Sequence, residues 1–473
     1  MVVVGISMLL PGLVGIVYRE TRPAMAFFAV AVPMIVLGLL AIKMTPKEDN
    51  SVLRMRDGFF IVAVSWMLMS ALGGLPFMIT GDIPNFIDAF FETASGFTTT
   101  GSTVVIEPEA MAHATLFWRS FTHWLGGMGV LVLTVALLPM LGIGGQKIMR
   151  AETPGPTMDK LSATMSTTAK TLYTIYTGMT IIEIVLLVIA GMGFFDACCH
   201  TFGTVGTGGL STRSASIGYY NSVSIDLIIS FFMMFAGINF GLYHYLFSGS
   251  PKQFFKDPEL RAYVGIMGGA TAFMAIMLYG KGFYESLGQA FRYAFFQASS
   301  IMTTTGYGTA DFDLWPVTCK IILFILMIIG GCAGSTGGGI KVIRAVIVAK
   351  AVKRSAERRL HPNAFKPLKV GGKSVSVETL NGVCGYITLF VATTLIGTLL
   401  ISLENVSFTT ALSSVIACLC NIGPGFELVG PTCNYAFLSY PAKSLLAMLM
   451  IAGRLELYTI ILMLTPQFWN KNR

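Results

Sequence analysis

The sequence predicts an all-α integral membrane protein, with four pore-loop repeats in a pseudo-fourfold arrangement behind two extra N-terminal transmembrane helices. Three observations predict it: a composition too apolar for water, apolar runs of bilayer length along the chain, and a short glycine-ended segment that recurs four times between them. Of 473 residues, 54% are hydrophobic and 12% charged, with a mean hydropathy of +0.71. A soluble chain carries about a quarter of its residues as charges.

A helix needs roughly 20 apolar residues to cross a bilayer. Runs near that length are 2–17, 25–42, 59–79, 116–143, 172–194, 223–247, 262–279, 317–349, 383–402 and 442–465. The first lacks the basic stretch that opens a signal peptide and is counted as a span. The eight cysteines form no CxxC pair and the five histidines no ligand cluster, so free buried thiols are expected and no metal centre or cofactor.

The net charge of +8 would suit a nucleic-acid partner, but its distribution argues for a lipid bilayer instead. If the spans alternate, one set of loops (18–24, 79–90, 193–222, 281–316, 402–436) carries only Arg19, Arg22, Arg213, Lys281 and Arg292. The other set (43–57, 145–170, 249–261, 340–373, 466–473) carries most of the 32 basic residues. The positive-inside rule puts that second set, and both termini, in the cytoplasm. Acids such as Asp82, Asp88, Glu107, Glu109, Asp311, Asp313, Glu404 and Glu427 fall on the other side. An acidic vestibule concentrates cations; avoidance of Lys and Arg for topology alone is the plainer alternative.

The repeats emerge when the chain is aligned on Gly101, Gly209, Gly306 and Gly423. Twelve residues before them stand Ala89, Ala197, Ala294 and Ala411. The first and third segments, DAFFETASGFTTTGS from Asp88 and YAFFQASSIMTTTGY from Tyr293, share AFF and TTTG in register; DACCHTFGTVGTGGL from Asp196 and TALSSVIACLCNIGP from Thr410 match more weakly. From alanine to threonine there are roughly ten residues, about 15 Å of helix, half a bilayer core. Asp88 and Asp196 stand where an N-cap would open the half-helix. The residues that follow favour extended backbone, which is tolerated at membrane depth only inside protein or along a watery cavity. Four half-helices aim the negative ends of their dipoles at the centre, and backbone carbonyls there can replace an ion's hydration shell. A monovalent cation is the expected cargo. Packing glycines at helix crossings are the alternative.

Within the run 317–349, six of the ten residues from Gly330 to Gly339 are glycine: Gly330, Gly331, Gly334, Gly337, Gly338 and Gly339, with Ser335 and Thr336 between them. Such a run breaks a helix. It lacks the GxxxxGK[ST] of a phosphate loop and the GxSxG of a serine nucleophile, so a membrane enzyme is disfavoured and a flexible plug below the filter fits better. Arg454 lies deep in the last apolar run, where a charge is costly unless paired or hydrated. Its five donors suit loop carbonyls such as those of 334–339; an ion pair with Glu183 is the alternative. Arg119, Lys320 and Lys443 are read as snorkelling from helix ends.

The chain resembles the TrkH family, membrane subunits of bacterial Trk potassium uptake systems, in the Trk/Ktr/HKT superfamily. The residues carrying the likeness are ETASGFTTTGSTV from Glu92, WLGGMGVLVL from Trp124, LPMLGIGG from Leu138, GGCAGSTGGGIKVIR from Gly330, CNIGPG from Cys420 and GRLELYT from Gly453. The resemblance implies four M1–P–M2 repeats at 53–160, 166–255, 256–360 (with a broken M2 helix) and 374–473, after an N-terminal helix pair at 1–44. By position it implies a K+ filter of Thr99, Thr100, Gly101 and Ser102; Thr207, Gly208, Gly209 and Leu210; Thr304, Thr305, Gly306 and Tyr307; and Asn421, Ile422, Gly423 and Pro424. It further implies a gate made of the 330–339 loop and Arg454, a homodimer in the bacterial inner membrane, and a cytoplasmic nucleotide-binding regulator of the TrkA type. Repeat three reads TTTGYG and repeat four has Pro424 after its glycine, so the four walls are unequal. A less selective K+/Na+ pathway and a cation-coupled symporter stay open as alternatives.

Overall fold

The structure is a computed structural model that describes residues 1–44, 55–127, 129, 165–247, 249–361 and 367–469. The chain is mostly helical. An N-terminal hairpin of α1 (Val2–Val17) and α2 (Thr21–Met44) packs against the helices that follow. Next come α3 (Met55–Thr80), α4 (Phe86–Phe97) and α5 (His113–Gly127). Then come α6 (Met165–Ile189), α7 (Phe194–Gly206), α8 (Val223–Ala236) and α9 (Phe240–Phe247). A third group is α10 (Pro258–Gly280), α11 (Leu287–Met302), α12 (Val317–Ile329) and α13 (Val342–Leu360). The last is α14 (Val377–Ile401), α15 (Phe408–Leu419), α16 (Tyr440–Arg454) and α17 (Tyr458–Leu464). A two-residue hairpin, Lys369–Val370 with Lys373–Ser374, departs from the all-α expectation.

Among the described residues, five helices are long and apolar enough to cross a membrane, and a sixth span arises if α8 and α9 count as one. The run 116–143, the LPMLGIGG motif from Leu138 and the loops 43–57 and 145–170 fall wholly or largely outside the described residues.

Four short helices sit inside the molecule. Each packs against the helix before it and the helix after it: α4 between α3 and α5, α7 between α6 and α8, α11 between α10 and α12, α15 between α14 and α16. The contacts also run in a circle. Helix α5 packs on α7, α8 on α11, α12 on α15, and α16 on α4. The short helices have 12, 13, 16 and 12 residues, longer than the roughly ten expected from the sequence. Their entry chemistry also differs from expectation. Asn85 caps α4 by accepting from Ile87 N–H at 2.8 Å, while Ser286 and Ser407 cap α11 and α15. Helix α7 starts on Gly193 with no side-chain cap. Asp88 and Asp196 stand in the first turns instead, where a carboxylate favours the positive helix end, and they pair with the side chains of Lys443 and Arg213.

Two expected single spans are broken. The run 223–247 bends by 99° between α8 and α9. The run 442–465 breaks after Arg454, where Glu456 and Leu457 take left-handed φ of +59° and +58°. The expected break after Ile329 is present: residues 330–341 leave the helix, and the chain resumes as α13.

Candidate functional site

Each short helix ends in the same way. One or two residues past the helix end stand Thr99, Thr207, Thr304 and Asn421, with φ of +54°, +56°, +60° and +56°. Their amides donate three residues back, to Gly96, Thr204, Ile301 and Cys418. The following amides, of Thr100, Gly208, Thr305 and Ile422, donate five residues back, to Ser95, Gly203, Ser300 and Ala417. This is the Schellman pairing that closes a helix C-terminus. Glycine is the usual residue at the left-handed position, and a β-branched threonine there is strained. Threonine occupies it three times.

Two residues after each strained position comes a glycine that also has positive φ: Gly101 at +82°, Gly209 at +78°, Gly306 at +87° and Gly423 at +98°. No side chain fits at these points. A Cβ on Gly101 would collide with the carbonyl oxygen of Gly208, one on Gly209 with that of Thr305, one on Gly306 with that of Ile422, and one on Gly423 with that of Thr100. Each carbonyl belongs to the residue just before the next glycine, so the four contacts close into a ring. All four glycines line one open cavity of about 110 Å³, together with Ser102, Leu210 and Pro424.

Side chains behind the ring differ from wall to wall. The Thr98 and Thr100 hydroxyls lie 2.7 Å apart, as do those of Thr303 and Thr305, which is the TTTG likeness made physical. Asn421 donates to the Thr100 hydroxyl and the Met450 carbonyl, each at 2.9 Å. The Tyr307 ring turns away from the cavity and is buried, its hydroxyl donating to His200 O at 3.0 Å. Ser102 donates to Gly423 O at 3.2 Å.

Of the three residues expected to snorkel, Arg119 and Lys443 are instead buried in ion pairs. Arg119 is 3% exposed and pairs with Glu92 at 2.5 Å, while donating to Ser211 O and the Thr103 hydroxyl. Lys443 is buried and pairs with Asp88 at 2.8 Å. Lys320 is half-buried and donates to Asp313 O at 2.9 Å. At helix ends packed inside the protein, a buried partner replaces water. At the rim, the Ser407 hydroxyl beside Glu427 holds its carboxyl below the usual range. Burial pushes the Glu109 carboxyl up, but hydrogen bonds from Ser214 together with the nearby Arg213 leave it below its usual value. Both stay charged at neutral pH.

The 330–341 segment closes on itself and reaches the ring. Ile340 and Lys341 amides donate to Ile328 O and Ile329 O at 3.1 and 2.9 Å, forming a neck. One side of the loop docks on the α8–α9 bend: Cys332 N donates to Gly237 O and Gly334 O accepts from Phe240 N. That exchange accounts for the bend, since the bent residues use loop groups as hydrogen-bond partners. The tip meets the short helices. Gly338 N donates to the Thr304 hydroxyl at 2.6 Å, and Thr336 donates to Val205 O and Ala236 O, each at 3.2 Å. Ser335 folds back onto Cys332 O at 2.7 Å. Cβ atoms on Gly337 and Gly338 would meet Thr303 O and Cys420 O, and Gly330 and Gly339 are packed on each other; Gly331 lies against Ser335.

Arg454 joins this loop to the first group of helices. It donates to Thr336 O at 2.7 Å, Gly126 O at 2.6 Å and Gly127 O at 3.1 Å. Glu183 makes no hydrogen bond to it. Sequence reasoning missed the rest of the assembly. Lys341, counted among the basic loop residues, is buried and donates to Gly337 O. Glu259 accepts from Ala333 N at 2.7 Å and Ile343 N at 3.0 Å, so one oxygen holds both arms of the loop. Arg344 pairs with Glu456 at 2.7 Å.

A family model described as "TrkH: Cation transport protein" matches residues 24–471. The "Trk system potassium uptake protein TrkH" of Salmonella typhimurium is 38% identical over 472 residues, covering 98% of this chain and 96% of that protein. "Trk system potassium uptake protein TrkG" of Escherichia coli K12 is 37% identical, covering 98% of this chain and 95% of that one. The crystal structure of the potassium transporter TrkH from Vibrio parahaemolyticus superposes with a TM-score of 0.87 at 36% identity, over 98% of this chain and 96% of that one. The chain belongs to the TrkH family of cation transport proteins.

Proposed function

We propose that this chain is the ion-conducting membrane subunit of a Trk potassium uptake system. The observation that carries the reading is the closed ring in which four carbonyls, from Thr100, Gly208, Thr305 and Ile422, each press on a positive-φ glycine of the neighbouring wall. Four M1–P–M2 repeats in a pseudo-fourfold arrangement account for that ring and for the circular packing of the short helices. K+ is the cargo, and the filter comprises Thr99–Ser102, Thr207–Leu210, Thr304–Tyr307 and Asn421–Pro424. A glycine-rich ring suits this work because carbonyl oxygens replace water around the ion without any charged side chain to trap it.

The 330–339 loop with Arg454 is the gate in this reading. Its tip contacts the ends of three short helices, and a fixed positive charge below a cation filter raises the barrier to permeation. A cytoplasmic TrkA-type nucleotide-binding regulator would bias the loop, and the chain would work as a homodimer in the bacterial inner membrane, both termini inside. The chain itself would hold no resident cofactor and do no enzymatic chemistry. The unequal walls favour a second reading, a less selective K+/Na+ pathway or coupled symporter. Liposome flux with and without sodium or proton gradients separates the two.

The decisive experiment replaces Gly101, Gly209, Gly306 and Gly423 by Ser one at a time. Each variant should lose flux or K+ preference over Na+ in liposomes. Normal preference in all four, correctly inserted, would overturn the filter assignment.

A further inference from the structure

The second wall departs from TTTG, reading Thr207-Gly208-Gly209-Leu210, and its support comes from outside its own repeat. His123 lies on α5 and is fully buried, at 0% exposure. Its Nε2 is 3.2 Å from the Leu210 amide and its Nδ1 is 2.9 Å from the Gly96 carbonyl. An amide N–H only donates, so Nε2 must present its lone pair. Nδ1 then carries the proton and donates to Gly96, which fixes a neutral ring in one tautomer. One imidazole thus ties the last turn of α4 to the strand after α7.

The ring also explains the residue at 208. A Cβ there would collide with His123 Cγ and Nδ1. The matching positions in the first and third walls hold Thr100 and Thr305, whose hydroxyls pair with Thr98 and Thr303. In the second wall the imidazole fills that space and supplies the polar contact. Leu210 is held at its other group too, since its carbonyl accepts from the Tyr307 hydroxyl at 3.3 Å. The strand is therefore braced by a side chain from each flanking repeat.

We propose that His123 is a positioning residue for ion selectivity: by accepting the Leu210 amide it sets the strand that presents the Gly208 carbonyl to the ring. This rests on the filter reading above. The test compares His123→Gln, His123→Asn and His123→Ala. A glutamine oxygen reaches the place of Nε2 and can still accept from Leu210; an asparagine reaches only the place of Nδ1 and keeps the Gly96 contact. Rubidium uptake into liposomes, competed by Na+ and by K+, is measured beside thermal unfolding, with Gly209→Ser as the filter control. Gln should keep most of the K+ preference. Asn and Ala should lose it by about tenfold, the scale of one hydrogen bond. If Gly209→Ser shifts preference while Gln and Asn behave alike, the ring only fills space and the proposal is overturned. If Gly101→Ser, Gly209→Ser, Gly306→Ser and Gly423→Ser all leave preference unchanged, the filter reading itself fails and takes the proposal with it. Should the Ala variant not fold, the Gln–Asn comparison decides alone.

Discussion

Arg454 and Thr336 are 118 residues apart in sequence, and a guanidinium N–H donates to the threonine carbonyl at 2.7 Å. The same guanidinium holds the Gly126 and Gly127 carbonyls, so it staples the glycine loop to the end of α5. Hydrogen bonds from a charged donor contribute about 1.5–3 kcal/mol each. Losing them should shift a two-state loop toward release. Arg454→Ala, or deletion of Gly337–Gly339, is expected to raise basal rubidium flux about tenfold or more in liposomes holding this subunit alone. Arg454→Lys should fall between, because a point ammonium cannot span both sites. Unchanged flux in folded variants would place the barrier elsewhere.

Glu259 should act on the same loop from its base. Its one oxygen accepts from Ala333 and Ile343, and a glutamine carbonyl can take both bonds. Glu259→Gln should therefore leave basal flux near wild type, while Glu259→Ala raises it severalfold, on the scale of two lost hydrogen bonds. Equal flux in the two variants would separate Glu259 from loop control.

The Glu92–Arg119 pair is a matter of stability. Glu92 also accepts from Thr103 Oγ1 and Val104 N, so it carries the strand that leaves the first wall. Removing one partner of a buried pair costs roughly 3–5 kcal/mol because the other charge is stranded. Glu92→Gln or Arg119→Met should each lower the unfolding temperature in detergent. The double variant should be less harmful than the sum of the two. Additive losses would show that the two side chains act independently.

Gly126→Ala tests the close approach of α5 to α4. A Cβ at this position would collide with Phe97 O, and backbone cannot yield as a flexible side chain does. The expected result is loss of potassium-dependent growth rescue in an uptake-deficient bacterium, with reduced folded protein on size-exclusion chromatography. Full rescue would mean that the helices separate at little cost.

Helices and the glycine ring were legible because they follow from local rules. Apolar run length marks a span, and TTTG in matching register marks Thr99–Gly101 and Thr304–Gly306 as equivalents. Arg454 was legible because a charge deep in an apolar run requires partners. Residues that act through distant contacts were not. Nothing near Lys341 in sequence distinguishes it from the exposed Lys350 or Arg358 further along α13. Glu259 reads as an ordinary acid in a first turn until Ala333 and Ile343 are brought to it. The bend at 237–239 was hidden because its hydrogen bonds are exchanged with a loop about a hundred residues later. His123 was passed over as one of five scattered histidines, and the clue to it, glycine where the other TTTG walls have threonine at 208, has meaning only once the ring is seen in that space.

A channel assembled from four identical subunits multiplies every substitution by four. Here each segment of the glycine ring is written separately in one chain, so a single codon change alters one segment and leaves three in place. The different props behind the segments, an imidazole at one seam, a tyrosine at another, an asparagine at a third, are compatible with that freedom. Evolution of such a ring can proceed in quarter steps, where a symmetric assembly changes all four segments at once.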